Sequence, residues 1–385
     1  MIQVTFDTDK NHLNCSAVIS VHVSDLRMES LSIIQHERVG HNSALICAEK
    51  LNTLRLQRVQ LTLPEHQYQL FLLIPYLLQM NHNQIPGYSD PATPSGICGF
   101  SFNAAIKHAC QIADIEYFPL ISEQPYAFEG VYAMGSSSSF GQNLNSDVDI
   151  WLVYHRSLNA ADLKLITHKT TRLTAWFAQF DFEVNFYLIH PNQFQECSLY
   201  DNCQPLGEEH SGSAQHWLLL EEFYRTHIRL AGKSVAWWPD AQGDDLLFLG
   251  ALDYIPASEY FGASLWQLYK GLNKPHKALL KVLLLEVYAS DYPQKHMITD
   301  TIWQYCLQDN FSDDNDAYLI LYQRIEAYLL SRREVRRLEI ARRCFYLKCG
   351  IALSAPQAVN NDWRTQKLTQ LTLDWHWPSS LLLTL

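Results

Sequence analysis

The chain has 385 residues, of which 48% are hydrophobic and 18% are charged, and its formal net charge is −11. This length allows two ordinary cores rather than one, and the composition excludes a disordered or fibrous protein. Because an excess of Asp and Glu repels a long polyanion, the charge balance argues against a nucleic-acid partner and favours a small nucleotide held with metal ions.

The N-terminal residues and the cysteines bear on where such a protein works. The first residues lack a basic segment followed by an apolar one, and the apolar runs are too short for a membrane span. We therefore expect no membrane span and a cytoplasmic location. The nine cysteines follow no repeating spacing, which predicts reduced thiols rather than a disulfide framework or a zinc site.

In chain order, residues 1–45 show no regular pattern and are interpreted as an N-terminal extension of unknown role. Apolar residues at helical spacing predict helices within residues 48–79, divided into pieces by Pro64 and Pro75. A further helix is predicted over residues 102–112.

Two strands are predicted in the middle of the chain. The sequences DVDIWLVY (residues 147–154) and FEVNFYLI (residues 182–189) are rich in β-branched and aromatic residues. The segment between them, residues 159–180, has helical spacing. The three segments together predict a strand-helix-strand unit of α/β type.

The second half of the chain is predicted to be helical. A polar loop over residues 196–212 precedes a long amphipathic helix over residues 215–231. Helical periodicity continues over residues 259–271, 276–289, 316–330 and 335–347. We therefore predict an α/β domain over residues 46–240 and an all-helical domain over residues 241–385.

The start of the first predicted strand carries two aspartates. Residues i and i+2 of a strand project to the same face, so Asp147 and Asp149 are expected to point together. Two close carboxylates resist ionisation in an apolar environment, and divalent cations remove that penalty. Such oxygen ligands suit Mg²⁺ or Mn²⁺, and paired ions catalyse phosphoryl displacement. The pattern predicts a site for two Mg²⁺ (or Mn²⁺) ions.

A two-metal site usually includes a third carboxylate from a neighbouring strand. Glu183, near the start of the second predicted strand, is our candidate for a third metal ligand and catalytic residue. Asp181 lies two residues earlier on the same face and is the alternative.

A run of small residues precedes the aspartates. Gly135 permits close backbone approach, and the hydroxyl and N–H groups of Ser136 and Ser137 could cradle phosphates. A serine run by itself is more typical of a flexible loop. The adjoining aspartate pair favours phosphate binding.

Two groups of basic residues repeat at helical spacing and are candidates for binding a triphosphate: Arg225, Arg229 and Lys233 in the first, and Lys274, Lys277 and Lys281 in the second. Either group could instead form a solvated helix face, because surface faces and phosphate-binding faces have the same periodicity. The sequence leaves open which group meets the triphosphate.

Several separated stretches carry a more specific signal: PGYSD at residues 86–90, GVYAMGSSSSFGQ at 130–142, SDVDIW at 146–151, RLAGK at 229–233 and RRCFYLK at 342–348. Through them, residues 46–375 resemble the catalytic part of the class I adenylate cyclases of enteric bacteria, which belong to the polymerase β-like nucleotidyltransferase superfamily. The resemblance implies a nucleotidyltransferase domain with a small mixed sheet flanked by helices, followed by an all-helical domain.

The resemblance also implies a reaction. ATP would be the substrate, Asp147 and Asp149 would bind two Mg²⁺ ions, and Glu183 would accept or relay the proton of the 3′-hydroxyl. Attack of the ribose 3′-oxygen on the α-phosphorus would release pyrophosphate and form 3′,5′-cyclic AMP. Full-length members of the family continue into a regulatory region that responds to a phosphotransferase-system protein, and this chain ends before that region.

Two alternatives to cyclisation stay open. The same chemistry with another nucleophile would give a nucleotidyltransferase that modifies a separate hydroxyl acceptor. A catalytically silent nucleotide-binding protein is the second alternative. The aspartate pair argues against it, since two carboxylates on an apolar strand are costly without cations.

Overall fold

The computed structural model describes residues 41–118, 125–143, 146–194, 216–241, 243–253, 255–293, 296–354 and 362–385. Most of the predicted extension and the predicted polar loop at 196–212 therefore lie outside the described residues. Residues 41–45, which we had assigned to the extension, are the first residues of a helix.

The first half of the described chain contains the main sheet and the helices around it. In chain order its elements are α1 (His41–Thr62), α2 (Glu65–Gln79), α3 (Ala104–Ile112), β1 (Phe128–Met134), β2 (Val148–Tyr154), α4 (Ala160–Ala178), β3 (Val184–Ile189), α5 (Trp217–Thr226), β4 (Ile228–Gly232), β5 (Ser234–Val235) and β6 (Leu246–Leu247).

The second half is helical, as the sequence predicts. Its elements are α6 (Ala257–Lys270), α7 (Pro275–Ser290), α8 (Ile298–Leu307), α9 (Ala317–Ser331), α10 (Val335–Cys349), α11 (Trp363–Asp374) and α12 (Ser379–Leu382). Helix α7 packs against α6, α9 and α10. Residues 41–385 form one compact unit, and the division into domains near residue 240 stays a prediction.

The main sheet is small and mixed, with strand order β3-β2-β1-β4. Strand β1 pairs antiparallel with β2 and β4, and β2 pairs in parallel with β3. The parallel pair is joined by α4, whose first turn is fixed by a capping box between Asn159 and Asp162. This confirms the predicted strand-helix-strand unit.

Every residue of β1 is buried, and so are most residues of β2. The apolar side chains of these strands pack with residues of α1 to α4 in one hydrophobic cluster. Burial of each large apolar side chain contributes about 1.5–3 kcal/mol to folding. The sheet is thus a rigid support for the loops at its edge.

Two sequence predictions are wrong in detail, and one strand was not predicted. Pro64 separates α1 from α2, but Pro75 lies inside α2 without dividing it. The predicted helix over 215–231 ends at Thr226, and the following residues form β4 instead. Strand formation wins there because β4 pairs with β1, a strand that the sequence analysis missed.

The described helices and cysteines bear on membrane insertion and on disulfide formation. None of their helices is long and apolar enough to cross a membrane. The cysteines that the structure describes are free thiols: Cys47, Cys98, Cys110, Cys306, Cys344 and Cys349.

Candidate active site

A cleft opens at the edge of the main sheet where β1 ends and β2 begins. Met134 and Gly135 line it at the end of β1, and Asp147 and Asp149 line it at the start of β2. The two aspartates are two residues apart along an extended backbone, so both carboxylates reach the same cleft. This is the arrangement that the sequence predicts.

The two aspartates differ in their electrostatic environment. Burial raises the pKa of Asp149 to about 6, and the adjacent charge of Asp147 adds to the effect. Burial acts in the same direction on Asp147, but Lys277 and Lys274 outweigh it and lower the pKa of Asp147 below its usual range. The pair therefore holds one stable negative charge and one that is costly without a further cation.

Helices α6 and α7 form the opposite wall of the cleft and make it strongly basic. Four lysines of these helices and of the turn between them line it: Lys270, Lys274, Lys277 and Lys281. The ammonium group of Lys274 lies 3.3 Å from Asp147 Oδ2. Of the two basic groups that the sequence singles out, the second is the one that faces the aspartates.

A third carboxylate in the cleft comes from α5. Glu222 Oε2 lies 2.7 Å from the ammonium group of Lys281, and both side chains are about 13–14% exposed. Although burial opposes ionisation of Glu222, Lys281 and Arg225 lower its pKa to about 2. Glu222 could not be predicted as a cleft residue from the sequence, because it lies on an amphipathic helix and belongs to no recognisable motif.

The rest of the cleft is largely aromatic and apolar. Trp151, Tyr187, Ile189, Leu219 and Trp266 contribute to its lining. The cavity volume of the cleft is about 260 Å³, slightly below the roughly 300–1,000 Å³ of small-molecule sites in general. The cleft is open at its mouth, and carboxylates and lysines lie on its facing walls.

Tyr187 of β3 lines the cleft and contacts the aspartate pair. Its side chain hydrogen-bonds Asp149, and burial together with the two aspartates raises its pKa. Tyr187 is opposite Trp151 in the parallel ladder. A hydroxyl donor thus lies where we had expected a carboxylate from this strand.

Glu183 and Asp181 are placed differently from the prediction. Both side chains are exposed, and the described lining of the cleft includes neither of them. The backbone carbonyl of Glu183 accepts a hydrogen bond from the N–H of Val148, 2.9 Å away. Glu183 therefore supports the start of β2 through its backbone, and its role as a third metal ligand stays a prediction.

The serines after Gly135 are also placed differently from the prediction. Residues 135–143 are here called the serine loop. Ser136 and Ser137 of this loop are buried. The Ser136 hydroxyl donates to Gln142 Oε1, 3.0 Å away. Gly135 alone of these three residues is part of the described cleft lining, and its N–H donates to Thr226 Oγ1 at 3.0 Å.

The first basic group is engaged elsewhere. Arg225 forms a buried ion pair with Glu221 inside α5. The other two residues lie on or beside β4, where Arg229 pairs with Glu49 and Lys233 pairs with Glu129. Since α5 ends at Thr226, the shared helix face predicted for this group does not exist.

The residues present fit a divalent cation. Asp147 and Asp149 supply oxygen donors, and a cation would remove the cost of charging Asp149. Within the described ranges, no three side chains of His, Cys, Asp or Glu are grouped closely enough to hold an ion by themselves. Substrate phosphates and water would complete the coordination, as is usual for Mg²⁺.

Two family models match the chain. The family model for the adenylate cyclase N-terminal domain matches residues 42–238, and the model for the second domain of class I adenylate cyclase matches residues 255–385. No solved structure matches the chain.

Curated relatives point to the same family. The chain is 38% identical over 360 residues to an adenylate cyclase of Salmonella typhimurium, covering 87% of this chain and 42% of that protein. It is 37% identical to the adenylate cyclase of Escherichia coli strain K12, with the same coverage, and 36% identical to that of Pasteurella multocida. The chain spans about two fifths of the length of these relatives. From the two family models and these relatives, we conclude that the chain belongs to the class I adenylate cyclase family.

Proposed function

We propose that this chain is the catalytic part of an adenylate cyclase, which converts ATP to 3′,5′-cyclic AMP and pyrophosphate. The observation that carries the proposal is the cleft in which Asp147 and Asp149 face the lysines of α6 and α7. We further propose that the mixed sheet and its surrounding helices form a polymerase β-like nucleotidyltransferase domain. The sheet order, with the aspartates at the start of a central strand, supports this assignment.

The two walls of the cleft would have separate tasks. Asp147 and Asp149 would hold two Mg²⁺ (or Mn²⁺) ions, which stabilise charge on the attacking and leaving oxygens of an in-line displacement. Lys274, Lys277 and Lys281 would bind the triphosphate and the departing pyrophosphate as point charges.

The aromatic lining would orient the nucleoside. Trp266 is half-buried in the cleft, and the ammonium group of Lys270 lies 5.0 Å from the centre of its ring. An indole face of this kind can stack on a purine. Holding the base there would bring the ribose toward the aspartates and turn the reaction into an intramolecular one.

Product analysis tests the proposal. The purified chain is incubated with ATP and Mg²⁺ or Mn²⁺, and the products are identified by mass. Cyclic AMP and pyrophosphate, both absent with Asp147→Asn, would support a cyclase. Transfer of AMP to an added hydroxyl compound would indicate a nucleotidyltransferase, and ATP binding without turnover would indicate a silent binding protein.

A matched pair of lysine variants tests the assignment of the walls. Lys277→Met removes a cleft lysine, whereas Lys233→Met removes a lysine that is paired with Glu129 outside the cleft lining. We expect the first variant to weaken ATP binding at least tenfold, because it loses a charge-assisted phosphate contact of about 1.5–3 kcal/mol. The second should leave ATP binding unchanged. Equal effects would contradict the assignment.

A further inference from the structure

The serine loop is held by three helices from the second half of the chain. The N–H of Phe140 donates to Oδ2 of Asp316, the N-cap residue of α9, at 3.1 Å. The Phe140 ring stacks on Phe345 of α10, with ring centres 5.5 Å apart. From α11, Arg364 donates to the Phe140 carbonyl at 3.2 Å. The conformation of the loop therefore depends on residues that lie about 200 positions later in the chain.

One of these contacts reaches the residue next to the first aspartate. Lys348, near the end of α10, donates from its ammonium group to the Gly141 carbonyl and to the Ser146 hydroxyl, the latter at 3.3 Å. Its own carbonyl accepts from the Asn143 side chain at 3.1 Å. Ser146 directly precedes Asp147, so Lys348 connects the loop to the start of the aspartate pair.

Asp147 needs such support more than Asp149 does. Asp149 lies within β2, where it pairs with Met134 on one side and Asn185 on the other. Asp147 precedes the first residue of β2 and has no partner in either ladder of that strand. The position of its backbone is therefore set by what holds Ser146 and Val148 on either side of it, while Lys274 contacts its carboxylate.

We propose that Lys348 is a positioning residue that sets the place of Asp147 and thereby the affinity of the cleft for a divalent cation. Lys348 acts through the Ser146 hydroxyl and is not part of the described cleft lining. This inference rests on the proposed function, in which Asp147 holds a cation. It makes α10 of the second half a determinant of metal binding by the first half.

The test measures metal binding directly. Mn²⁺ is titrated into the full chain by calorimetry in the presence of 3′-deoxy-ATP, which cannot cyclise because it lacks the 3′-hydroxyl. Because contacts that orient a metal ligand are worth about 10–100-fold in affinity, we expect Lys348→Met and Ser146→Ala each to weaken Mn²⁺ binding about tenfold. Ser146→Thr, which keeps the hydroxyl, should retain the affinity of the unmutated chain.

A double-mutant cycle tests the route. If both residues act through their shared contact, the loss of Mn²⁺ affinity in the double variant Lys348→Met/Ser146→Ala should be smaller than the sum of the two single losses. The matched control is Lys367→Met, which removes a surface lysine paired with Asp314 and should have no effect.

Several outcomes would overturn the inference. An unchanged Mn²⁺ affinity in Ser146→Ala would overturn the inference even if Lys348→Met failed to fold. Losses of Mn²⁺ affinity that are fully additive in the double variant would also overturn it. The readout is independent of the reaction. If the unmutated chain binds Mn²⁺ but makes no cyclic AMP, the proposed function is contradicted. The Mn²⁺ affinities of the variants would still test the role of Lys348.

Discussion

Replacing Asp149 with Asn is expected to stabilise the metal-free protein at pH 8, although it removes one of the two cleft aspartates. Burial and the charge of Asp147 raise the pKa of Asp149 to about 6 from an ordinary value of 3.8. The unfolded chain therefore releases this proton at a lower pH than the folded chain does. Above both values, the difference corresponds to about 3 kcal/mol against the folded state.

The effect has a defined sign and pH window. Below about pH 4, Asp149 is protonated in both states and costs the folded protein nothing. As the pH rises toward and through 6, ionisation of Asp149 lowers the free energy of unfolding of the unmutated chain. Asp149→Asn keeps its free energy of unfolding because its side chain cannot ionise. We expect the free energy of unfolding of the variant to exceed that of the unmutated chain by about 3 kcal/mol at pH 8 and by no more than about 0.5 kcal/mol at pH 4. Denaturant unfolding in the presence of a chelator measures both values.

An exposed carboxylate provides the control. Glu183→Gln changes an exposed side chain just before β3, so its free energy of unfolding should stay within about 0.5 kcal/mol of the unmutated value at either pH. A loss of stability in Asp149→Asn at pH 8, or a gain of the same size at pH 4, would refute the reasoning that this buried charge is costly.

Three further predictions concern residues around the cleft and the sheet. Arg225→Met should lower the free energy of unfolding by about 3–5 kcal/mol because it leaves the buried charge of Glu221 without its arginine, with only the hydrogen bonds from Tyr288 and Thr299; denaturant unfolding should show most of the loss recovered when Glu221→Gln is added. Tyr187→Phe removes the hydroxyl that hydrogen-bonds Asp149 and should weaken Mn²⁺ binding about tenfold in calorimetry while the circular dichroism spectrum stays unchanged. Gly232→Ala would place a methyl group 2.4 Å from a backbone atom of β1 at a φ of +94°, so we expect its melting temperature to fall by several degrees, about 2 kcal/mol of stability.

The strand that carries the aspartates could be predicted from the sequence because the residue types that favour a strand lie in the same segment as the two aspartates. The segment DVDIWLVY is β-branched and aromatic on a strand that is largely buried, and its observed start at Val148 differs from the prediction by one residue. The aspartate pair could be located for the same reason, since the two-residue period of a strand fixes which side chains share a face.

Other parts of the site could not be predicted because they depend on tertiary contacts. The residues after Thr226 fit a helical period as well as a strand, and pairing with β1 decides between them. Helical spacing gave Arg225 and Lys277 the same status, yet the first is paired with Glu221 and the second faces the aspartates. Glu222 was missed because a single carboxylate on a helix gains meaning only from what lies across the cleft.

The contacts of the serine loop with α9, α10 and α11 have a consequence for building chimeras of related cyclases. The two family models meet between residues 238 and 255, which makes that point an obvious crossover for exchanging the halves of two relatives. Such an exchange would separate Phe140 from Asp316 and Arg364, and Ser146 from Lys348. These pairs need to be inherited together, so a working chimera is expected only when the donor of the second half also supplies, or matches, the loop of the first.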